Sequence, residues 1–182
     1  MVFLMLKHVR LRITPRVGSA LTALAVLFFL AACSNFSQPP VMASDFQVTL
    51  FTGEDFRLSD QLGKKSVVLN FWYPSCPPCR AEMPAFQAAW EQVQEEGEDV
   101  VFLGLFVPRG FDSEQDARDF VQETGLTYDF GTDAGGMVTQ DYKLEYFPKT
   151  FFIDKTGKVF SSMISALEAE DIMLKVRAMG QS

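Results

Sequence analysis

The sequence predicts an α/β domain of three layers, in which helices cover both faces of a central mixed β-sheet. Two continuous apolar runs, at 66–72 and 100–107, are typical of strands that are buried on both faces. A helix-forming segment follows each run, and two shorter strands and a last helix close the chain. Helices on both sides of such a sheet would cover both apolar faces of its strands.

An extra β-hairpin is predicted in front of this sheet. Residues 46–51 alternate apolar and polar side chains, 52–55 form a turn with a glycine, and 56–58 continue as the second strand. A short turn or helical loop at 59–64 then leads into the first buried strand.

Two helices are predicted after the buried strands. The first runs from about residue 77 to residue 94, with Gly97 beyond its end, and Pro84 inside it predicts a kink rather than a break. Ser113 is a good N-cap for the second, which has acids in its first turn and ends before Gly125. The remaining predicted elements are a strand at 127–130, a helix at 137–142, a hairpin of strands at 150–153 and 158–163, and a helix at 166–179.

Charge and histidine content exclude several functions. Of 16 basic residues, four lie in the first 32 without any acid, so the rest of the chain holds 12 basic and 23 acidic side chains, a net charge of −11. Such a domain repels a phosphate backbone, and we expect no nucleic-acid partner. His8, in the N-terminal stretch, is the single histidine. If that stretch is removed, the mature protein has no histidine, which excludes Cys–His dyads and histidine-ligated metals.

The first 32 residues are predicted to be an export signal. A basic region at 1–18 precedes an apolar segment at 19–32, which is shorter than the roughly 20 residues that span a bilayer. The segment ends in Leu30-Ala31-Ala32-Cys33, which resembles the lipobox of bacterial lipoproteins, in which the cysteine is acylated and becomes the new N-terminus. The alternative is an ordinary signal peptide cut near Ala32, or one retained as an anchor, with Cys33 a plain thiol.

We therefore divide the chain into a lipoprotein signal peptide at 1–32, a lipidated tether at 33–44 and a folded domain at 45–182. The protein is expected in the cell envelope, outside the cytoplasmic membrane, with its lipid anchor on the periplasmic or extracellular face. Disulfides persist in that location.

Cys76 and Cys79 are the candidate reactive residues. They stand three residues apart, after a buried strand and at the start of a predicted helix. Unpaired N–H groups and the positive end of the helix dipole stabilise a thiolate there, and the thiolate is the form that attacks a disulfide. We predict thiol–disulfide exchange in which Cys76 attacks and Cys79 resolves. A CxxC pair by itself is also compatible with half of a zinc site or a structural disulfide.

Three separated stretches carry a family resemblance. They are the opening hairpin at 45–62, the run Val68-Leu-Asn-Phe-Trp with the following Cys-Pro-Pro-Cys-Arg-Ala-Glu-Met-Pro, and Tyr146-Phe-Pro-Lys-Thr-Phe-Phe-Ile-Asp-Lys-Thr-Gly. On these stretches, residues 45–179 resemble the TlpA/ResA-like branch of membrane-tethered thioredoxin-fold oxidoreductases. The resemblance implies a thioredoxin-like fold with an extra N-terminal hairpin.

The resemblance also implies a site and a role. The Phe147–Pro148 bond should be cis and lie against the cysteine pair, where its backbone can pair with a substrate strand. Substrate contacts are expected at Phe147, Pro148, Ser75 and, after its primary packing role, Trp72. Such proteins reduce disulfides of exported proteins, including in cytochrome c maturation, with electrons from a membrane reductant. We expect a monomer that needs neither cofactor nor metal.

Departures from the family pattern concern substrate docking and proton transfer. Ser75 replaces a tryptophan that many relatives have before the first cysteine, and Asn70 replaces the buried acid of thioredoxin. Some reductive relatives have a glutamate after the next strand, where this chain has Pro108 and Arg109. Glu82 is the acid closest in sequence to the cysteines, and we expect it on the solvated face of the helix.

Two other functions compete with this prediction. A peroxiredoxin-like thiol peroxidase would share the fold, but its peroxidatic cysteine follows a Pro-x-x-x-Thr-x-x-Cys pattern, which Pro74-Ser75-Cys76 does not satisfy. The other is a non-enzymatic binding module in which the Cys76–Cys79 pair is a structural disulfide.

Overall fold

The computed structural model describes residues 39–181. The strands are β1 (Gln47–Thr49), β2 (Asp55–Arg57), β3 (Ser66–Trp72), β4 (Val100–Phe106), β5 (Asp129–Thr132), β6 (Lys149–Ile153) and β7 (Val159–Met163). The helices are α1 (Pro77–Glu96), α2 (Glu114–Thr124), α3 (Met137–Asp141) and α4 (Ala169–Met179), and Leu58–Asp60 form a 3₁₀ turn. Within the described range, none of the helices has the length and apolar character needed to cross a membrane.

Five strands form the central sheet in the order β5–β4–β3–β6–β7. β3, β4 and β5 are parallel, whereas β6 runs antiparallel to β3 and β7 antiparallel to β6. β1 and β2 pair as a separate antiparallel hairpin. The predicted mixed sheet with an extra N-terminal hairpin is confirmed.

The side chains of β3 alternate between two halves of the core. Val68 and Trp72 lie in a cluster with buried side chains of α1, α2 and α4. Leu69 and Phe71 lie in a second cluster, which the N-terminal hairpin and Val138 of α3 complete. Helices therefore cover both faces, and every residue of β3 is buried, as its continuous apolar sequence predicts.

Helix α1 has the boundaries that its local sequence favours. Pro77 and Pro78 occupy the first turn, where the missing N–H groups have no partner within the helix. The helix continues through Pro84 without a break and ends at Gly97, which adopts a left-handed conformation with φ of 67°. The prediction that Pro84 does not break the helix is confirmed.

Two elements begin two or three residues later than predicted. β5 begins at Asp129 rather than residue 127. α4 begins at Ala169 rather than residue 166, because the backbone N–H of the buried Leu167 donates to Glu82 Oε2 at 3.2 Å. This segment is thereby held extended against α1 before the last helix starts.

Contacts of the domain begin before Asp45. The carbonyl of Val41 accepts from the N–H of Val159 at 2.8 Å, and the N–H of Ala43 donates to the carbonyl of Gly157 at 2.9 Å. The last residues of the predicted tether therefore lie against β7 and the turn before it. Cys33 and the predicted signal peptide lie outside the described residues.

Candidate active site

Cys76 and Cys79 form a disulfide at the junction of β3 and α1, with their Cα atoms 5.2 Å apart. Cys76 is the N-cap of the helix, and the N–H of Cys79 donates to Cys76 Sγ at 3.3 Å. In the reduced form this donor and the helix dipole would stabilise negative charge on Cys76. Cys76 is 2% exposed and Cys79 is fully buried, so the first is the sulfur nearer to solvent.

Glu82 lies in the interior, which contradicts its predicted place on a solvated helix face. Its side chain is 1% exposed. Asn70 Nδ2 of β3 donates to Glu82 Oε1 at 2.8 Å, and the Leu167 N–H donates to the other carboxylate oxygen. Asn70 Nδ2 also donates to Thr150 Oγ1 at 3.0 Å. A carboxylate with these partners can be buried, because each of its oxygens accepts a hydrogen bond.

Burial raises the pKa of Glu82 from 4.5 to about 7, and the hydrogen bonds from Asn70 and Leu167 limit the rise. Its charge also contributes to the raised pKa of the buried Tyr128, for which burial is the main cause. Glu82 stands three residues after Cys79 on the buried face of α1. A buried carboxyl group with a pKa of about 7 thus lies one turn along α1 from Cys79.

Periodicity was the signal that could have located Glu82. Residues 79, 83 and 86 are apolar at helical spacing, and position 82 lies on the same face. The network that makes burial possible is not visible in the sequence, because Asn70 and Leu167 are brought to Glu82, and Thr150 to Asn70, from three other segments.

The Phe147–Pro148 peptide bond is cis, as the family resemblance predicts. Pro148 is buried and Phe147 is half-buried. The ring of Phe147 packs edge-on against Tyr73, with centroids 5.4 Å apart. The carbonyl of Tyr73 in turn accepts from the Cys76 N–H at 3.1 Å. The loop before β6 therefore meets the segment that leads into Cys76.

Ser75 is exposed and is held by a loop residue that the sequence did not indicate. Its N–H and its Oγ donate to Asp112 Oδ2 at 3.2 and 2.6 Å. Asp112 lies between β4 and α2, 37 residues away. The residue that replaces tryptophan in this chain is thus attached to a second loop, and no local pattern could predict that contact.

Replacing Asp112 with alanine is expected to lower the free energy of unfolding by about 1 kcal/mol, because two hydrogen bonds at an exposed site are lost. Amide hydrogen exchange at Ser75 should become faster in the same variant. Asp112→Asn keeps an acceptor oxygen and is the matched control, expected to retain most of the protection. Protection at Ser75 that is unchanged in Asp112→Ala would contradict this role.

Trp72 does not offer a surface to a substrate. Its side chain is fully buried and packs against Phe106, Phe120 and Phe130, with ring centroids 5.5 to 6.2 Å away. The prediction that it packs beneath the site is confirmed. The secondary prediction of a substrate contact does not agree with this burial, because β3 directs the ring into the core rather than toward solvent.

Comparisons with known proteins agree with this geometry. Residues 40–162 match the AhpC/TSA family. The chain is 30% identical over 166 residues to thiol–disulfide oxidoreductase ResA of Geobacillus thermodenitrificans, with 88% of this chain and 92% of that protein covered. It is 24% identical over 147 residues to sporulation thiol–disulfide oxidoreductase A of Bacillus subtilis, with 81% and 87% covered.

A solved structure confirms the fold. The chain is similar to the crystal structure of StoA from Bacillus subtilis with a TM-score of 0.65 and 23% sequence identity. The match covers 75% of this chain and 98% of that chain. The predicted thioredoxin-like architecture is therefore confirmed.

Proposed function

The chain belongs to the AhpC/TSA family and is a thiol–disulfide oxidoreductase of the ResA/StoA type, and from that premise we propose that Cys76 and Cys79 carry its reaction. One observation carries the proposal: Cys76 caps α1 and receives the N–H of Cys79 on its sulfur. The N-cap position therefore favours Cys76, rather than Cys79, as the thiolate.

The proposed cycle has two exchange steps. The Cys76 thiolate attacks one sulfur of a substrate disulfide, so that a mixed disulfide forms and the other substrate sulfur leaves as a thiolate. The Cys79 thiolate then attacks Cys76 Sγ, which closes the Cys76–Cys79 disulfide and releases the second substrate thiolate. Two electrons pass to the substrate, and an external dithiol must return them to the protein.

Glu82 is proposed to take the proton that Cys79 loses before the second step. Cys79 is fully buried, so water has no direct access to its sulfur. Glu82 lies one turn along the same face of α1, and its pKa of about 7 suits a group that accepts a proton near neutral pH. Before the transfer, the hydrogen bonds from Asn70 and Leu167 hold the Glu82 carboxylate in the charged form that can accept this proton.

We further propose that the protein is exported, lipid-anchored at Cys33 and monomeric, and that it reduces disulfides of exported proteins. The basic and apolar N-terminal sequence supports export, and the Leu-Ala-Ala-Cys sequence supports the anchor. A membrane thiol–disulfide reductant would supply the electrons, and cytochrome c maturation is one proposed use. The direction of electron flow depends on the redox potential, which spans roughly −270 to −120 mV among related folds.

A trapping experiment tests the central proposal. Cys79→Ser should leave Cys76 covalently bound to envelope proteins, because the second step is blocked after the mixed disulfide has formed. Cys76→Ser is the matched control, which should trap few partners and lose disulfide reductase activity. Full reductase activity in both variants would overturn the mechanism.

The wild-type protein and the same cysteine variants also distinguish the competing functions. Peroxide consumption that is much faster than reduction of a protein disulfide would favour a thiol peroxidase. A Cys76–Cys79 disulfide that resists mild dithiols, together with no trapped partner, would favour a structural disulfide.

The lipid anchor has its own test. In membrane-extracted protein, mass spectrometry should find an N-terminal Cys33 that carries diacylglycerol, and Cys33→Ser should move the protein to the soluble fraction. A mature N-terminus at Cys33 without lipid would contradict the anchor and leave the exchange chemistry unaffected.

A further inference from the structure

The arginines at the dithiol site differ from the other arginines in the described part of the chain. Three arginines form ion pairs with carboxylates: Arg57 with Asp45, Arg118 with Glu114, and Arg177 with Glu96. Arg80 and Arg109 form no ion pair within residues 39–181, and both are exposed. These two are also the arginines that adjoin the active-site segments.

Arg80 follows Cys79 in α1. Its guanidinium lies 4.4 Å from the ring centroid of Phe120, and Nη1 donates to the carbonyl of Pro74 at 3.4 Å. Stacking on a ring occupies the flat face of a guanidinium and leaves most of its N–H donors at the edge free. Arg80 is therefore held in place beside the cysteines with donors still available.

Arg109 belongs to the loop between β4 and α2. Its guanidinium lies 5.0 Å from the ring centroid of Phe147, the residue before the cis proline. Asp112 of the same loop binds Ser75 and makes no ion pair with Arg109. Arg109 is thus a second cation near the site, beside the Phe147–Pro148 segment, and it comes from a loop, whereas Arg80 comes from α1.

From these positions we propose that Arg80 and Arg109 bind carboxylates of the substrate, and that preferred substrates are protein disulfides with acidic residues beside a cysteine. The inference rests on the proposed exchange function and names its substrate class. A guanidinium edge matches a carboxylate in a two-point hydrogen bond. On a domain with a net charge of −11, these two cations provide the local attraction that would align an acidic segment with the disulfide.

Three matched peptide disulfides test the proposal. They share one sequence and carry acidic, neutral or basic residues beside the reacting cysteine. At low ionic strength, the full-length protein should reduce the acidic peptide with a kcat/KM about tenfold above that of the basic peptide, and added salt should narrow the difference. Arg80→Gln and Arg109→Gln should each lower the rate on the acidic peptide by about two- to fivefold.

Controls distinguish docking from other effects. Arg177→Gln removes an arginine far along the chain at α4 and should leave the preference unchanged. Equal losses on the acidic and neutral peptides would show that the arginines act on the thiolate rather than on docking, and would overturn the proposal. So would an unchanged or reversed charge preference in the wild type. Failure to reduce all three peptides would instead contradict the exchange function itself.

Discussion

Glu82→Gln is expected to raise the free energy of unfolding of the oxidised protein at pH 8 by up to ~3 kcal/mol. The pKa of Glu82 is about 7 in the folded protein, against 4.5 without the fold, and each pKa unit corresponds to about 1.36 kcal/mol. Since the folded state holds this proton more tightly, ionised Glu82 opposes folding. A neutral glutamine removes that opposition, and its NH2 group, which faces one of the two N–H donors of Asn70 and Leu167, offsets part of the gain.

The sign of the pH dependence follows from the same pKa difference. Below pH 4.5, Glu82 is protonated in both states and has no such effect. As pH rises toward 7, the unfolded chain loses the proton first, so this residue lowers stability with rising pH. The stability of Glu82→Gln relative to wild type in urea unfolding should therefore rise by up to ~3 kcal/mol between pH 4 and pH 8. Glu95→Gln, an exposed position of the same helix, should show no such trend.

The same substitution should slow the exchange reaction. If Glu82 accepts the proton of Cys79, Glu82→Gln should lower the rate of the second step by about a hundredfold, within the range for a positioned general base. Rapid-mixing measurement of substrate release from a preformed mixed disulfide on Cys76 isolates that step. If the variant is more stable at pH 8 but resolves the mixed disulfide at the wild-type rate, Glu82 is not the proton acceptor of Cys79.

Gly104→Ala is expected to lower the free energy of unfolding by about 3 kcal/mol, at the upper end of the usual effect of overpacking. Gly104 lies in the middle of β4, opposite Asn70 of β3 and Phe130 of β5. A Cβ atom there would lie 2.5 Å from a ring carbon of Phe130. That ring is confined by Tyr128 and Trp72, with centroids 4.3 and 5.7 Å away, so it has little room to move.

Chemical denaturation of Gly104→Ala measures this effect. Gly135→Ala is the matched control, because a Cβ at that glycine would approach its nearest neighbour no closer than 3.8 Å. We expect the control to change stability by less than about 0.5 kcal/mol. Equal stabilities of the two variants would mean that the β4–β5 region relaxes around the added methyl group.

Features that depend on local sequence were predictable. The apolar runs identify the buried strands, Ser113 and the terminal glycines mark helix ends, and the spacing of Cys76 and Cys79 at a helix start identifies the dithiol. Pro148 was located by resemblance to a family motif and is cis. Apart from Pro148, each of these depends on residues that are neighbours in the chain, so spacing and residue type contain the necessary information.

Features that combine distant segments were decided by the tertiary structure. A carboxylate on a helix is expected to be exposed to solvent unless hydrogen-bond donors are available to it in the interior. For Glu82 these donors are Asn70 and the backbone N–H of Leu167, which is 85 residues away in the chain. Ser75 meets Asp112, and Arg109 stacks on Phe147, for the same reason. The sequence by itself determined the fold class and the cysteine pair at the start of α1. The fold alone decided which charges surround them, because burial and partner placement are properties of the packed chain.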